Sequence, residues 1–189
     1  MPVHVLYGAI LVLILLFSPR NAPTYDFEAQ WPVIEAPQAD PHELEKTILT
    51  EYIAKTYPQP VTDIRAIVDS AFKYGGLHNI SPSLVLAIIA KESSFNPSAK
   101  SSYGAIGLMQ VVPRFHPEKV DTITHPDGLK DPDSNVRVGT ATLAEYIASK
   151  PTLDAALVKY SGKASSYQTS VRGFWDEFKK IGKKAKNPA

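Results

Sequence analysis

A glutamate at the end of the most apolar helical stretch in the chain is the residue best placed to do chemistry. Leu84 to Ala90 is apolar on every face of a helix; Lys91-Glu92-Ser93-Ser94-Phe95 follows, and Asn96-Pro97 stops the run. Low-polarity surroundings and the negative end of the helix dipole both disfavour a carboxylate. A glutamic acid that keeps its proton near neutral pH can serve as a general acid. Taken alone, Glu92 fits a plain surface side chain on a last helical turn as well. The stretch that follows, Ser101-Ser102-Tyr103-Gly104-Ala105-Ile106-Gly107-Leu108-Met109-Gln110, changes the balance. Its glycines permit tight turns and close backbone approach to a ligand. Ser101 and Gln110 offer hydrogen bonds suited to a polar, uncharged substrate. Without a ligand, the same stretch reads as a Gly-rich turn before a short helix, with Met109 in the core.

The elements that must position these residues are helical. Asp40-Pro41-His42-Glu43 reads as a capped helix start, with Glu43 closing a capping box. Leu44, Ile48, Tyr52 and Ile53 follow at helical spacing, and Tyr57-Pro58 ends that helix. From about Thr62, the residues Ile64, Ile67, Val68, Ala71 and Phe72 form one apolar stripe, which Gly75-Gly76 is expected to terminate. Ser81-Pro82 caps the apolar helix, with Ile80 and Val85 as a hydrophobic staple. Because that helix is apolar all round, it should be central and buried. Asp131-Pro132 opens another helix, with Val136, Thr140, Leu143 and Ile147 facing inward; Thr152 to Tyr160 and Tyr167 to Ile181 add two more. Strand signals are poor, apart from a short hairpin around Lys100 to Ile106. The class is mainly α, with no internal repeat.

Composition narrows the chemistry. The 189 residues hold no cysteine, which removes disulfide scaffolds, cysteine-bearing zinc sites, iron–sulfur clusters and thiol nucleophiles. Twenty Lys+Arg against 19 Asp+Glu leave a formal charge of +1, so nothing points to nucleic acid as a partner. His116 and His125 flank a Pro-rich loop without a metal-ligand pattern. Asp121, Asp127, Asp131 and Asp133 lack the glycine spacing of a calcium loop. No metal and no cofactor are expected.

The two ends read differently from the middle. Val3 to Phe17 is almost unbroken apolar sequence, intermediate between a signal-peptide core and a spanning helix. No Lys or Arg precedes it and no small-residue cleavage pattern follows it. An uncleaved membrane anchor over residues 1–18 is therefore preferred to a removed signal, and a buried core helix comes third. Arg20 alone fixes no orientation. Residues 19–40 carry Pro19, Pro23, Pro32 and Pro37 and read as a semi-stiff linker. A helical domain over 41–172 follows, then a basic amphipathic tail over 173–189. Phe174, Trp175 and Phe178 should pack this tail as a helix with a solvated lysine end; contact with anionic lipid or wall polymer is the second reading.

Glu92-Ser93-Ser94-Phe95-Asn96-Pro97, then Ala99, Ser101, Gly104-Ala105-Ile106-Gly107-Leu108-Met109-Gln110 and Pro113, resembles the signature of the lytic transglycosylases with the soluble-transglycosylase (SLT), goose-type-lysozyme-like domain. Asp131-Pro132 with Asn135 and Gly139 is similar to that family's second helix motif. Ala156-Leu157 with Tyr160 and Gly162 is similar to its tyrosine–asparagine–small–glycine motif. The resemblance covers about Val61 to Val171. It implies a helix-dominated, lysozyme-like α+β fold and cleavage of the β-1,4 bond between N-acetylmuramic acid and N-acetylglucosamine in peptidoglycan glycan strands. Glu92 matches the family's single catalytic acid/base, and a 1,6-anhydro product is implied. Ser101 matches the serine that orients the substrate acetamido group. Gly104, Met109 and Gln110 match groove residues, and Tyr160 the tyrosine that hydrogen-bonds near the acid. Ser161 stands where the family usually has asparagine, and the segment from Gly162 to Tyr167 is shortened, so the groove should differ there.

The leading expectation is thus a membrane-anchored lytic transglycosylase facing the periplasm and cell wall, or a virion-associated one if phage-encoded. It would open the wall locally for remodelling, for a secretion or conjugation machine, or for phage entry. A hydrolytic muramidase and a non-catalytic wall-binding protein are the alternatives.

Overall fold

The computed structural model describes residues 40, 42–162 and 166–184. The chain divides into two units, Met1–Gln38 and Ala39–Ala189, and the described residues belong to the second. The expected anchor and nearly all of the linker lie outside them.

The described part is mainly α, as the periodicities require. Its helices are α1 (Glu43–Thr56), α2 (Val61–Leu77), α3 (Pro82–Ser93), the single turn α4 (Pro117–Val120), α5 (Pro132–Ser149), α6 (Leu153–Ser161) and α7 (Ser166–Lys183). Short 3-10 turns at Pro113–Phe115 and Gly128–Lys130 punctuate the loop between α3 and α5. The expected hairpin reduces to two isolated antiparallel bridges, Lys100 to Ile106 and Ile106 to Val111. Among the described residues no helix is long and apolar enough to cross a membrane.

Helix α3 is the axis of the domain. Every residue from Ser83 to Ala90 is buried, and α2 and α7 pack against it. Burying Leu84, Val85, Leu86, Ile88 and Ile89 contributes on the order of 10 kcal/mol of gross hydrophobic stabilisation. Around this axis α2 meets α1 and α5, α5 meets α6, and α7 also rests on α1 and α6. The α2 stripe behaves as its spacing predicts: Ile64, Ile67, Val68 and Ala71 are fully buried. The Phe178 ring of α7 lies edge-on to Tyr52 and Phe95 and stacks with Phe174. As far as Lys183 the tail is therefore a packed helix, and α7 runs without interruption across positions 172 and 173.

Local readings failed where tertiary or short-range contacts compete. Helix α1 starts at Glu43 with His42 as its cap, not at Asp40. The Asp40 carboxylate instead accepts the His42 N–H at 2.8 Å and pairs with Lys46, a local side-chain turn that takes the place of a capping box. Glu43 reaches Arg65 on α2. Gly75 and Gly76 do not end α2. A Cβ on Gly75 would sit 2.7 Å from the Ile80 carbonyl oxygen, so this glycine lets the α2–α3 connection pass close to the helix. The stop comes from Asn79 at φ 55°, with Ile80 N–H bonded to Gly75 O and Asn79 N–H to Gly76 O, the hydrogen-bond pattern of a Schellman turn. Ser81 stands at the α3 N-terminus without a side-chain cap bond, whereas Asp131 caps α5 by accepting from Ser134 N–H at 2.8 Å.

Candidate active site

Helix α3 ends in two consecutive left-handed residues, Ser94 at φ 51° and Phe95 at φ 62°. For a non-glycine residue this costs about 1–3 kcal/mol, and a bulky side chain there is an outlier. The compensation is visible: Phe95 is fully buried, 4.7 Å from the Tyr57 ring and 6.3 Å from Phe178. The reversal turns the chain away while Glu92 stays half-buried on the last turn of the helix.

Two tyrosines from later helices converge on Glu92. Tyr167 of α7 donates its phenol proton to Glu92 Oε1 at 2.7 Å. Burial first, and then the Glu92 charge, hold the Tyr167 phenol well above its ordinary range. Tyr160 of α6 is raised in the same direction by the same two causes in the same order. Both phenols therefore remain donors at any working pH. The Tyr160 hydroxyl itself donates to the Met109 carbonyl at 2.9 Å. So Tyr160 lies in the field of the acid and braces the adjoining loop, while the direct bond to Glu92 comes from Tyr167. Sequence reasoning missed that role. The available signal was Tyr167 placed four residues before Val171 on the buried face of an amphipathic helix, where a phenol needs a partner.

The loop from Ala99 to Val111 is tied to itself. Gly107 N–H bonds to Ala99 O at 2.8 Å. Ser101 Oγ accepts the Ala105 N–H at 3.0 Å, and Ser101 N–H bonds to Ala105 O at 3.0 Å. The Ser101 hydroxyl proton is thus left for an outside acceptor. Gly104, at φ 91°, makes the turn between them. Gln110, at φ 48°, uses its side-chain amide N–H groups on Gly107 O at 2.9 Å and Ala99 O at 3.3 Å, so any further bond from this side chain would be accepted by its carbonyl oxygen.

Asn135 of α5 holds this loop from beneath. It is fully buried, accepts Met109 N–H at 2.8 Å, and donates to Ile106 O at 2.9 Å and Leu129 O at 2.7 Å. Met109 corrects the expectation of a groove-lining side chain. It is fully buried, and Thr140 Oγ1 donates to its sulfur at 3.7 Å. Its backbone, not its thioether, faces the site residues. Gly139 makes that position possible, since a Cβ there would lie 2.6 Å from Met109 Sδ. Gly139→Ala should cost about 1–3 kcal/mol through overpacking; thermal denaturation of the two proteins measures it.

Ser101, Gly104, Met109 and Gln110 thus share one braced loop, Tyr160 ties that loop to α6, and Tyr160 and Tyr167 both act on Glu92. Glu92 is, among the described residues, the one carboxylate whose charge acts on both phenols. His116 faces Tyr146 at 6.4 Å, and His125 lies 3.9 Å from Asp131. Among the described residues no group of three His, Asp or Glu side chains is arranged to hold a metal.

Comparison with known proteins identifies the family. The family model described as the Transglycosylase SLT domain matches residues 69–181, and the chain belongs to that family. The chain is 45% identical over 108 residues to the membrane-bound lytic murein transglycosylase C of Salmonella arizonae, a match covering 50% of this chain and 29% of the relative. It is 31% identical over 104 residues to the soluble lytic murein transglycosylase of Salmonella typhimurium, covering 52% of this chain and 15% of the relative. The chain therefore spans less than a third of the length of either. An inactive mutant of the lytic transglycosylase Slt from Pseudomonas aeruginosa aligns with a TM-score of 0.48 and 20% identity, over 64% of this chain and 24% of that one.

Proposed function

We propose that the chain is a peptidoglycan lytic transglycosylase with a lysozyme-like catalytic domain and Glu92 as its single acid/base. The observation that carries this reading is the Glu92 carboxyl held by the Tyr167 phenol, with Tyr160 in the field of its charge. Glu92 gives its proton to the glycosidic oxygen as the bond from muramic acid C1 breaks. The C6 hydroxyl then attacks C1, its proton passes to Glu92, and a 1,6-anhydro ring closes without water. Most glycosidases divide these tasks between two carboxyl groups; here the substrate's own acetamido group stabilises the positive centre, oriented by the Ser101 hydroxyl. Gly104 and Gln110 line the groove, Met109 contributes through its backbone, and Tyr160 fixes the loop.

In this reading residues 1–18 are a membrane anchor or signal, 19–40 a linker, 41–172 the catalytic domain and 173–189 a basic tail. That organisation suits an enzyme tethered near the cell wall, and similarity to a membrane-bound transglycosylase supports it. Wall remodelling, a secretion or conjugation machine, and phage entry are the settings it would serve.

The test is to incubate the full chain, in mild detergent, with purified peptidoglycan and weigh the soluble fragments. Fragments lighter by one water than hydrolytic ones are expected. Reducing muramic ends would make the protein a muramidase, and no fragments from folded protein would make it a wall-binding protein. Removing the phenol donor gives a second check. Tyr167→Phe should lower kcat roughly 10-fold or more with little change in KM, because a hydrogen bond to a charged group is worth about 1.5–3 kcal/mol. Steady-state kinetics on soluble glycan fragments separates the two constants.

A further inference from the structure

The turn built on Ser101 also carries an exposed aromatic and cationic cluster that the catalytic reading does not use. Tyr103 is 60% exposed and Phe115 54% exposed, and their rings lie 6.1 Å apart at 45°. The Arg114 guanidinium sits against both, 4.1 Å from the Tyr103 ring centre and 4.9 Å from that of Phe115. Arg114 Nη1 donates to the Tyr103 carbonyl at 3.0 Å. Among the described residues Arg114 forms no ion pair, although a solvent-exposed arginine with a fixed planar fork is well made for a carboxylate. Large apolar faces left in water next to such a group mark a binding surface more often than a packing accident.

We propose that Tyr103, Arg114 and Phe115 form a subsite for the peptide stem of peptidoglycan. Arg114 takes a free stem carboxylate, and the two rings pack against the stem's aliphatic parts. This rests on the peptidoglycan reading above. Charge and position select the occupant. A neutral sugar ring stacks on aromatics without needing a cation, whereas stems carry free carboxylates. The stem is attached to the same muramoyl ring whose acetamido group Ser101 would orient, and Tyr103 follows Ser101 by two residues. The cluster is also held before any ligand arrives. The Tyr103 carbonyl and both ring faces fix the guanidinium, so little side-chain entropy is lost on binding.

The experiment uses the full chain in mild detergent and two substrates: glycan strands with stems, and the same strands after amidase removal of the stems. Arg114→Gln should raise KM for stemmed strands roughly 5-fold to 10-fold more than for stripped ones, the scale of one charge-assisted pair at a partly exposed site. Tyr103→Ala, which keeps the backbone carbonyl, should move the same ratio in the same direction. Arg114→Lys should restore only part of it, because an ammonium lacks the fork. Equal KM shifts on both substrates would make this a sugar contact and overturn the proposal, as would no shift on either.

A binding measurement separates this outcome from the fate of the catalytic reading. A synthetic stem peptide titrated into wild-type protein should shift the ring resonances of Tyr103 and Phe115. The shifts should vanish in Arg114→Gln and with a peptide whose carboxylates are amidated. If the wild-type chain releases no fragments, the transglycosylase reading fails, and this titration still decides the subsite. Ring shifts that ignore both changes would remove it.

Discussion

Glu92→Gln is expected to fold normally and to lose at least about 1,000-fold in turnover, since general acid–base catalysis by a positioned side chain contributes roughly 100-fold to 10,000-fold. The replacement is nearly isosteric, and its amide oxygen can still accept from Tyr167, so the bond seen at 2.7 Å to Oε1 has a counterpart in the variant. What disappears is a transferable proton. In a two-carboxylate enzyme some turnover can survive through the remaining acid; a single acid/base leaves no such route. Fragment release from peptidoglycan, measured beside a thermal melt, gives the answer. A variant that melts like wild type and keeps more than a tenth of its activity would sink the assignment of Glu92.

The second large effect concerns stability. Asn135→Leu removes no volume of consequence but strips partners from Met109 N–H, Ile106 C=O and Leu129 C=O in a fully buried place. Ile106 C=O still accepts Val111 N–H, so two buried backbone groups are orphaned; at about 1–3 kcal/mol each, the loss should be on the order of 4 kcal/mol. That is a large share of a typical domain's stability of about 5–15 kcal/mol. Asn135→Asp should not rescue it, because a carboxylate cannot donate to two carbonyls. Urea denaturation followed by far-UV circular dichroism measures both. Stability within about 1 kcal/mol of wild type in the leucine variant would mean that the loop is braced by packing and not by this side chain.

Much of the fold is legible in the chain because its helices satisfy local and global demands together. An all-apolar α3 has to be central; Asp131-Pro132 has to start a helix; the 64, 67, 68, 71, 72 stripe has to face inward. The failures fall where distant residues override local signals. Two glycines read as a stop lie inside α2, because the need at Gly75 is for room beside the Ile80 carbonyl and not for a left-handed turn. Met109 reads equally well as groove or core, and only the packing of Gly139 and Thr140 against it decides for the core. The partner of Glu92 is the clearest case. Helical periodicity put Tyr167 at the start of a helix, but nothing local says which of the two neighbouring tyrosines reaches the acid. That depends on how α7 lies on α3.

Glu92 and Tyr167 stand 75 positions apart in the chain, and this separation has a consequence in time. On a ribosome, α3 with its acid is complete long before α7 exists. Until α7 docks, the apolar flank of α3 is uncovered and the carboxyl lacks its phenol partner. The bond between acid and phenol can therefore close only after α7 has been made and has docked on α3.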